Sequence, residues 1–149
     1  MASRRVLTFL IADDTEADAF FVGACVLAQA ARHFGGKIVK DAVIRDRRPV
    51  VQVVRVTSPH GALANARSGI FDAILVDFRW AGEPLGFWTS VRDAAPSGTP
   101  VFLVSGYTET PVSHGARAAF VRKDLPSISK AVERVFASPP VRSKILRTS

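Results

Sequence analysis

Short apolar runs recur along the chain and alternate with stretches of helical periodicity. The runs are rich in β-branched and aromatic residues, which is typical of strands buried on both faces of a sheet. Five of them are predicted as strands: 6–12, 50–56, 73–76, 101–104 and 118–121. An order in which strand and helix alternate five times predicts a parallel sheet with helices packed on both faces.

Residues that start and end helices lie between these runs. Thr15 predicts the start of a first helix, and the glycine pair at 35–36 predicts its end. Pro59 and Pro84 each predict a further helix start, because proline in the first turn lacks only an N–H that would have no partner there. A last helix is predicted over about 126–136, where apolar residues form one stripe.

Two basic stretches fall outside this alternation. Residues 35–49 lie between the first helix and the second strand, and their pattern leaves open whether they form a short strand or a helical turn. Residues 138–149 follow the last helix. We therefore expect one domain at 1–137, with a basic insertion at 35–49, and a basic C-terminal tail at 138–149.

The amino-acid composition fits a single globular domain, and the apolar runs indicate where in the cell the protein is expected. The 149 residues are 48% hydrophobic and 22% charged, which is enough for one well-buried core. Cys25 is the only cysteine, so an internal disulfide framework is excluded. The apolar runs near the N-terminus are too short for a membrane span, and they lack the cleavage site of a signal peptide. We expect a soluble, cytoplasmic protein with no membrane partner.

Polar residues stand where four of the predicted strands end. They are Asp13 and Asp14 after the first strand, Asp77 after the third, Ser105 after the fourth and Lys123 after the fifth. The carboxyl ends of parallel strands share one edge of a sheet, so these side chains are expected to meet there. Three converging carboxylates repel one another unless a cation lies among them, and Mg²⁺ prefers such oxygen ligands.

This arrangement suits the formation of an aspartyl phosphate. With a divalent cation bound, an ionised Asp77 can attack a phosphorus atom. Lys123 and the metal would neutralise the phosphoryl oxygens, and the Ser105 hydroxyl would donate to another of them. Simpler roles for single residues are a helix cap at Asp13 and Asp14, a turn at Ser105 and a solvated surface lysine at Lys123.

The sequence resembles the receiver domain of bacterial two-component response regulators. The resemblance lies in four short motifs in order: LIADDTEAD, ILVDF, FLVSGY and FVRKD. It implies a flavodoxin-like sheet with five parallel strands in the order 2-1-3-4-5. It also implies that Asp13 and Asp14 hold the metal, and that Asp77 accepts phosphate from a histidine kinase or histidine phosphotransfer protein.

Further expectations concern readout. Ser105 and Lys123 would report the phosphorylated state, and Phe120 occupies the position of the family's switching aromatic residue. We expect the backbone carbonyl of Arg79 to be a further metal ligand. Such a protein signals by phosphorylation-dependent protein binding. It is not an enzyme, although it assists its own Mg²⁺-dependent phosphorylation and dephosphorylation.

Some features depart from the family pattern. The segment between Ser105 and Lys123 is short and contains Pro111 and Gly115, so the fourth helix is expected to be stunted or irregular. Asp124 replaces the proline that commonly follows the lysine, so no cis peptide bond is expected there.

Two other classes of function compete with this interpretation. A phosphatase with an aspartate nucleophile would want a carboxylate two residues after Asp77, where Arg79 stands. A nucleic-acid-binding module would explain the net charge of +7 and the pI of about 10.5. Because no recognition-helix module is visible, we expect the basic residues to bind an acidic downstream protein partner rather than nucleic acid.

Overall fold

A computed structural model describes residues 5–84, 86–106 and 119–137. Seven strands and four helices are present in this part of the chain. The strands are β1 (Leu7–Ala12), β2 (Lys37–Val39), β3 (Ala42–Arg45), β4 (Arg48–Val56), β5 (Ala73–Asp77), β6 (Val101–Ser105) and β7 (Ala119–Arg122). The helices are α1 (Glu16–Phe34), α2 (Pro59–Arg67), α3 (Phe87–Ala94) and α4 (Leu125–Ala137).

All seven strands form one sheet in the order β2-β3-β4-β1-β5-β6-β7. The five strands predicted from the sequence are β1, β4, β5, β6 and β7; they pair in parallel and keep the predicted order 2-1-3-4-5. The prediction of five strands was wrong by two. The flavodoxin-like α/β fold itself is confirmed.

The two additional strands come from the basic insertion. β2 and β3 form an antiparallel hairpin, and β3 pairs antiparallel with β4, so the hairpin extends the sheet at one edge. Asp46 and Arg47 both have positive φ angles, 53° and 67°, as a tight turn between antiparallel strands requires. Neither residue is glycine, and the strands have only three and four residues, which is why the sequence pattern left this segment open.

The helix boundaries follow the capping residues, with one exception. The Thr15 side chain accepts a hydrogen bond from the Asp18 backbone N–H at 3.2 Å and so caps α1, as predicted. Ser58 caps α2 in the same way. The start predicted at Pro84 was wrong: α3 begins at Phe87, after the backbone N–H of Phe87 closes a turn onto the Pro84 carbonyl at 2.9 Å.

Helices cover both faces of the sheet, as the parallel arrangement predicted. One apolar layer lies between the sheet and the helices α1 and α4, and it includes the fully buried Phe9 and Val26. The other lies under α2 and α3, where Trp80 and Trp88 are buried. This double covering explains why the central strands are apolar at nearly every position.

The remaining observations concern cis peptide bonds, membrane-spanning helices, the fourth helix and the C-terminal tail. No cis peptide bond occurs in the described part of the chain, including the bond after Lys123. None of the four described helices combines the length and apolar character that crossing a membrane requires. The predicted irregular fourth helix and the basic tail, 138–149, lie outside the described residues.

Candidate functional site

The carboxyl edge of the sheet brings the predicted site residues together. Asp13 follows β1, Asp77 ends β5, Ser105 ends β6 and Lys123 follows β7, and these four strands are neighbours in the sheet. The chain passes from one side of β1 to the other between β4 and β5. Ligands bind at such a reversal of strand order in open α/β sheets.

Three carboxylates form the centre of the site. Asp13, Asp14 and Asp77 each offer an oxygen, and these oxygens lie within 4.8 Å of one another. Asp13 and Asp77 are buried, with 2% and 7% of their surface exposed. Backbone N–H groups orient Asp13 and Asp14: Thr15 donates to Asp13 at 3.2 Å, and Ala81 donates to Asp14 at 3.0 Å. The loop after β5 is thereby tied to the first acidic pair.

Lys123 places its ammonium group against this cluster. Its Nζ atom donates to Asp13 Oδ2 at 3.0 Å and to Asp77 Oδ1 at 3.1 Å. A third bond reaches Asp18 Oδ2, on the first turn of α1, at 3.1 Å. The lysine therefore bonds to two members of the cluster and to one carboxylate outside it. Sequence analysis missed the role of Asp18, whose position four residues after Asp14 on a helix start was the only available signal.

The pKa values reflect the crowding of buried charge. Burial raises the pKa of Asp77 from 3.8 to about 7, and the charges of Asp13 and Asp14 add to this effect while Lys123 opposes it. Burial also raises the pKa of Asp13, again against the influence of Lys123. Burial alone would lower the pKa of Lys123, but the hydrogen bond to Asp13 and the charge of Asp77 raise it above its usual value.

The donor set fits a hard divalent cation. Three carboxylate oxygens converge within the span of one coordination sphere, and a bound cation would offset the mutual repulsion that adds to the effect of burial on the pKa of Asp77. Arg79 lies two residues beyond Asp77, and its guanidinium stands over the Phe78 ring with 5.9 Å between the guanidinium carbon and the ring centroid. That the Arg79 carbonyl is a metal ligand stays a prediction.

The two predicted switch residues lie on neighbouring strands. Ser105 is 1% exposed, and its backbone carbonyl accepts a hydrogen bond from the Lys123 backbone N–H at 2.8 Å. Phe120 pairs with Leu103 in the β6–β7 register and is partly buried against the core under α2 and α3. The end of β6 is thus connected to Lys123 through the backbone, while the switch roles of both residues stay predictions.

No protein-family model matches the sequence, and a search of the curated proteins gave no match. Solved structures do match. The signal receiver domain of NarL from Mycobacterium tuberculosis aligns with a TM-score of 0.59 and 22% identity, over 90% of this chain and 98% of that one. The chain has the fold of a response regulator receiver domain.

Two further receiver folds cover the chain to a similar extent. Chemotaxis protein CheY4 from Vibrio cholerae gives a TM-score of 0.58 and 17% identity, over 88% of this chain and 99% of that one. The CheY-like receiver domain from Methylobacillus flagellatus gives 0.57 and 14%, also over 88% and 99%. At such low identity the likeness extends to the receiver fold, and the chemistry must be argued from this chain's own residues.

Proposed function

We propose that the chain acts as a receiver that accepts a phosphoryl group on Asp77. The observation that carries this proposal is the position of Lys123, 3.1 Å from an Asp77 oxygen, beside a cluster of three carboxylates. A buried lysine paired to a buried carboxylate alone would be a structural ion pair. The two additional carboxylates leave the cluster with a surplus of negative charge, which a structural ion pair would not need and which a divalent cation would neutralise.

The proposed reaction is a direct transfer to a carboxylate oxygen. An Asp77 oxygen attacks the phosphorus, and a new O–P bond forms as the bond from phosphorus to the donor's oxygen or nitrogen breaks. The electron pair of that bond leaves with the donor, an acetate or a histidine imidazole. When bound, Mg²⁺ supplies positive charge to the phosphoryl oxygens. Asp13, Asp14 and Asp77 would hold it.

Lys123 and Ser105 have a part in this transfer, and Phe120 has a part in its readout. Lys123 Nζ donates a hydrogen bond to Asp77 Oδ1, so a phosphoryl group on that oxygen would lie within reach of the ammonium group. The ammonium group would then pair with a phosphoryl oxygen instead of the carboxylate oxygen. The Ser105 hydroxyl, at the end of the adjacent strand, would donate to a second phosphoryl oxygen. Phe120 would follow that movement and alter the surface that a partner protein recognises.

The proposal extends to the phosphoryl donor and to the location of the protein. A histidine kinase or histidine phosphotransfer protein would supply the phosphoryl group, and the downstream effect would be binding of another protein, in the cytoplasm. We propose a signalling domain that assists its own phosphorylation and dephosphorylation rather than a classical enzyme. Either the activation of a partner or the removal of phosphate from another regulator is compatible with this chemistry.

Labelling with a small phosphodonor tests the proposal. Wild-type protein incubated with acetyl phosphate and Mg²⁺ should gain one phosphoryl group that is lost in base, as measured by intact-protein mass spectrometry. Asp77→Asn should gain none, and chelation of the metal should abolish the gain in wild type. Asp93→Asn, which removes an exposed carboxylate at the end of α3, is the matched control and should label normally. Equal labelling of the Asp77→Asn and wild-type proteins would refute the assignment of Asp77 as the phosphoacceptor.

A further inference from the structure

The hairpin leaves an unpaired strand at one edge of the sheet. β2 is the first strand in the sheet order, so among the described residues only β3 pairs with it. Its two apolar side chains are exposed, Ile38 by 49% and Val39 by 51%. They point to opposite faces of the strand. An edge that exposes both main-chain groups and β-branched side chains is a template for pairing with another strand.

This edge is preformed, because the hairpin is fastened to the rest of the molecule. Val43 on β3 is fully buried in the core under α1. Asp41, in the turn between β2 and β3, forms an ion pair with Arg55 of β4, and its backbone carbonyl accepts a hydrogen bond from Val53 at 2.9 Å. A partner strand would therefore pair with an ordered edge, which lowers the entropic cost of binding.

Charges at both ends of β2 select the partner. Lys37 begins β2 and Lys40 lies in the turn that follows it, at φ 54°; both are exposed, whereas the next carboxylate in the chain, Asp41, is already paired with Arg55. In a second copy of the chain, the antiparallel register that matches Ile38 with Val39 would bring Lys37 of each copy close to Lys40 in the turn of the other. Like charges opposite each other destabilise strand pairing, so self-association is disfavoured and acidic residues are favoured at both positions.

We propose that β2 is a docking edge for an extended segment of a partner protein. The segment carries two acidic residues separated by two apolar ones, so that main-chain hydrogen bonds form along β2, one acidic residue lies opposite Lys37 and the other lies close to Lys40 in the adjoining turn. The site lies on the far side of β4 from Asp77, so this inference is independent of the phosphoryl chemistry. It gives the basic insertion a function that its charge alone does not define.

A cyclic hairpin peptide whose outer strand reads Glu-Val-Val-Glu provides the probe. Cyclisation preorganises that strand and removes most of the ordering cost that would mask weak pairing. Titrated into ¹⁵N-labelled protein, it should shift the amide resonances of residues 37–40 saturably and slow hydrogen exchange on β2. The same peptide with N-methylated outer amides cannot donate to β2 and should not bind, although its charge is unchanged.

Charge reversal on β2 provides the second arm. Lys37→Glu combined with Lys40→Asp should weaken binding about tenfold or more, since two attractive pairs become repulsive. Aspartate suits position 40, where φ is 54°. Arg67→Glu combined with Lys130→Glu makes the same change in net charge at exposed positions of α2 and α4 and should leave binding within about twofold.

Several results would overturn the proposal. One is the absence of saturable shifts in wild type at millimolar peptide. Another is equal binding of the N-methylated peptide, which would leave only charge attraction. Dimerisation through β2, detected by ultracentrifugation, would identify a second copy as the occupant. Displacement of the peptide by duplex DNA that depends on the same two lysines would identify nucleic acid instead. If the double variant fails to fold, the comparison of the two peptides on wild type still decides.

Discussion

Removing the charge of Asp77 should stabilise the metal-free protein. The pKa of this carboxyl is 3.8 in its ordinary state and about 7 in the folded chain, because burial and the neighbouring Asp13 disfavour its ionised form. The folded state therefore binds a proton that the unfolded state releases between about pH 4 and pH 7. Stability falls as pH rises through this interval, and the full cost of the buried charge is present above pH 7.

The magnitude follows from the separation of the two pKa values. A difference of about 3 pH units corresponds to about 4 kcal/mol in the free energy of unfolding, at about 1.4 kcal/mol per unit. Asp77→Asn removes this cost and keeps an oxygen that can accept from Lys123. Because Lys123 loses part of its attraction, we expect a net gain of about 2–4 kcal/mol at pH 8 without divalent cations.

Urea unfolding followed by tryptophan fluorescence measures this gain, since both tryptophans are buried. Wild type should lose stability between pH 4 and pH 7, and Asp77→Asn should lose less. Asp93→Asn removes the same charge at an exposed site and should change stability by less than about 0.5 kcal/mol. An Asp77→Asn protein that is no more stable than wild type at pH 8, with the same dependence on pH, would refute the reasoning.

Two further predictions concern the neighbours of this centre, and a third concerns helix α1. Asp14→Asn should weaken Mg²⁺ binding by at least about tenfold in calorimetry, because one of three anionic ligands is lost; unchanged affinity would contradict the metal site. Asp18→Asn should speed acylation of Lys123 by an amine reagent, measured by peptide mass spectrometry, because the ammonium loses one of its three partners, whereas Glu16→Gln should not. A Cβ atom at Gly23 would lie 2.6 Å from the Arg55 guanidinium. Gly23→Ala should therefore gain about 0.5–1 kcal/mol of helix stability in an Arg55→Ala background and less in wild type; equal gains in urea unfolding would disprove the close approach.

The convergence of the candidate site residues was predictable from sequence because the carboxyl ends of parallel strands share one edge of a sheet. Each of Asp13, Asp77 and Ser105 follows or ends an apolar run, and Lys123 follows the last one. Once the runs are recognised as parallel strands, the shared edge follows from topology without any knowledge of side-chain contacts. The order of the five parallel strands was implied instead by the resemblance to receiver domains.

Features that depend on contacts distant in sequence were not predictable in this way. The Asp18 carboxylate accepts a hydrogen bond from Lys123, which lies 105 positions later in the chain. The local sequence explains Asp18 by the cap of α1, where its backbone N–H donates to Thr15, and so gives no sign of the contact with the lysine. The β2–β3 hairpin is too short to show a period of two, and its pairing depends on β4. Pro84 lies in a turn that precedes α3, because proline suits a turn as well as a helix start.

The central claim is that Asp77 carries the phosphoryl group. Treatment of the acetyl phosphate-labelled protein with borohydride reduces an acyl phosphate to an alcohol, so the modified aspartate becomes homoserine and can be located by peptide mass spectrometry. We predict homoserine at position 77 alone, in amounts that require Mg²⁺ during labelling. Homoserine at another aspartate, or none in protein that has gained a phosphoryl mass, would contradict the claim.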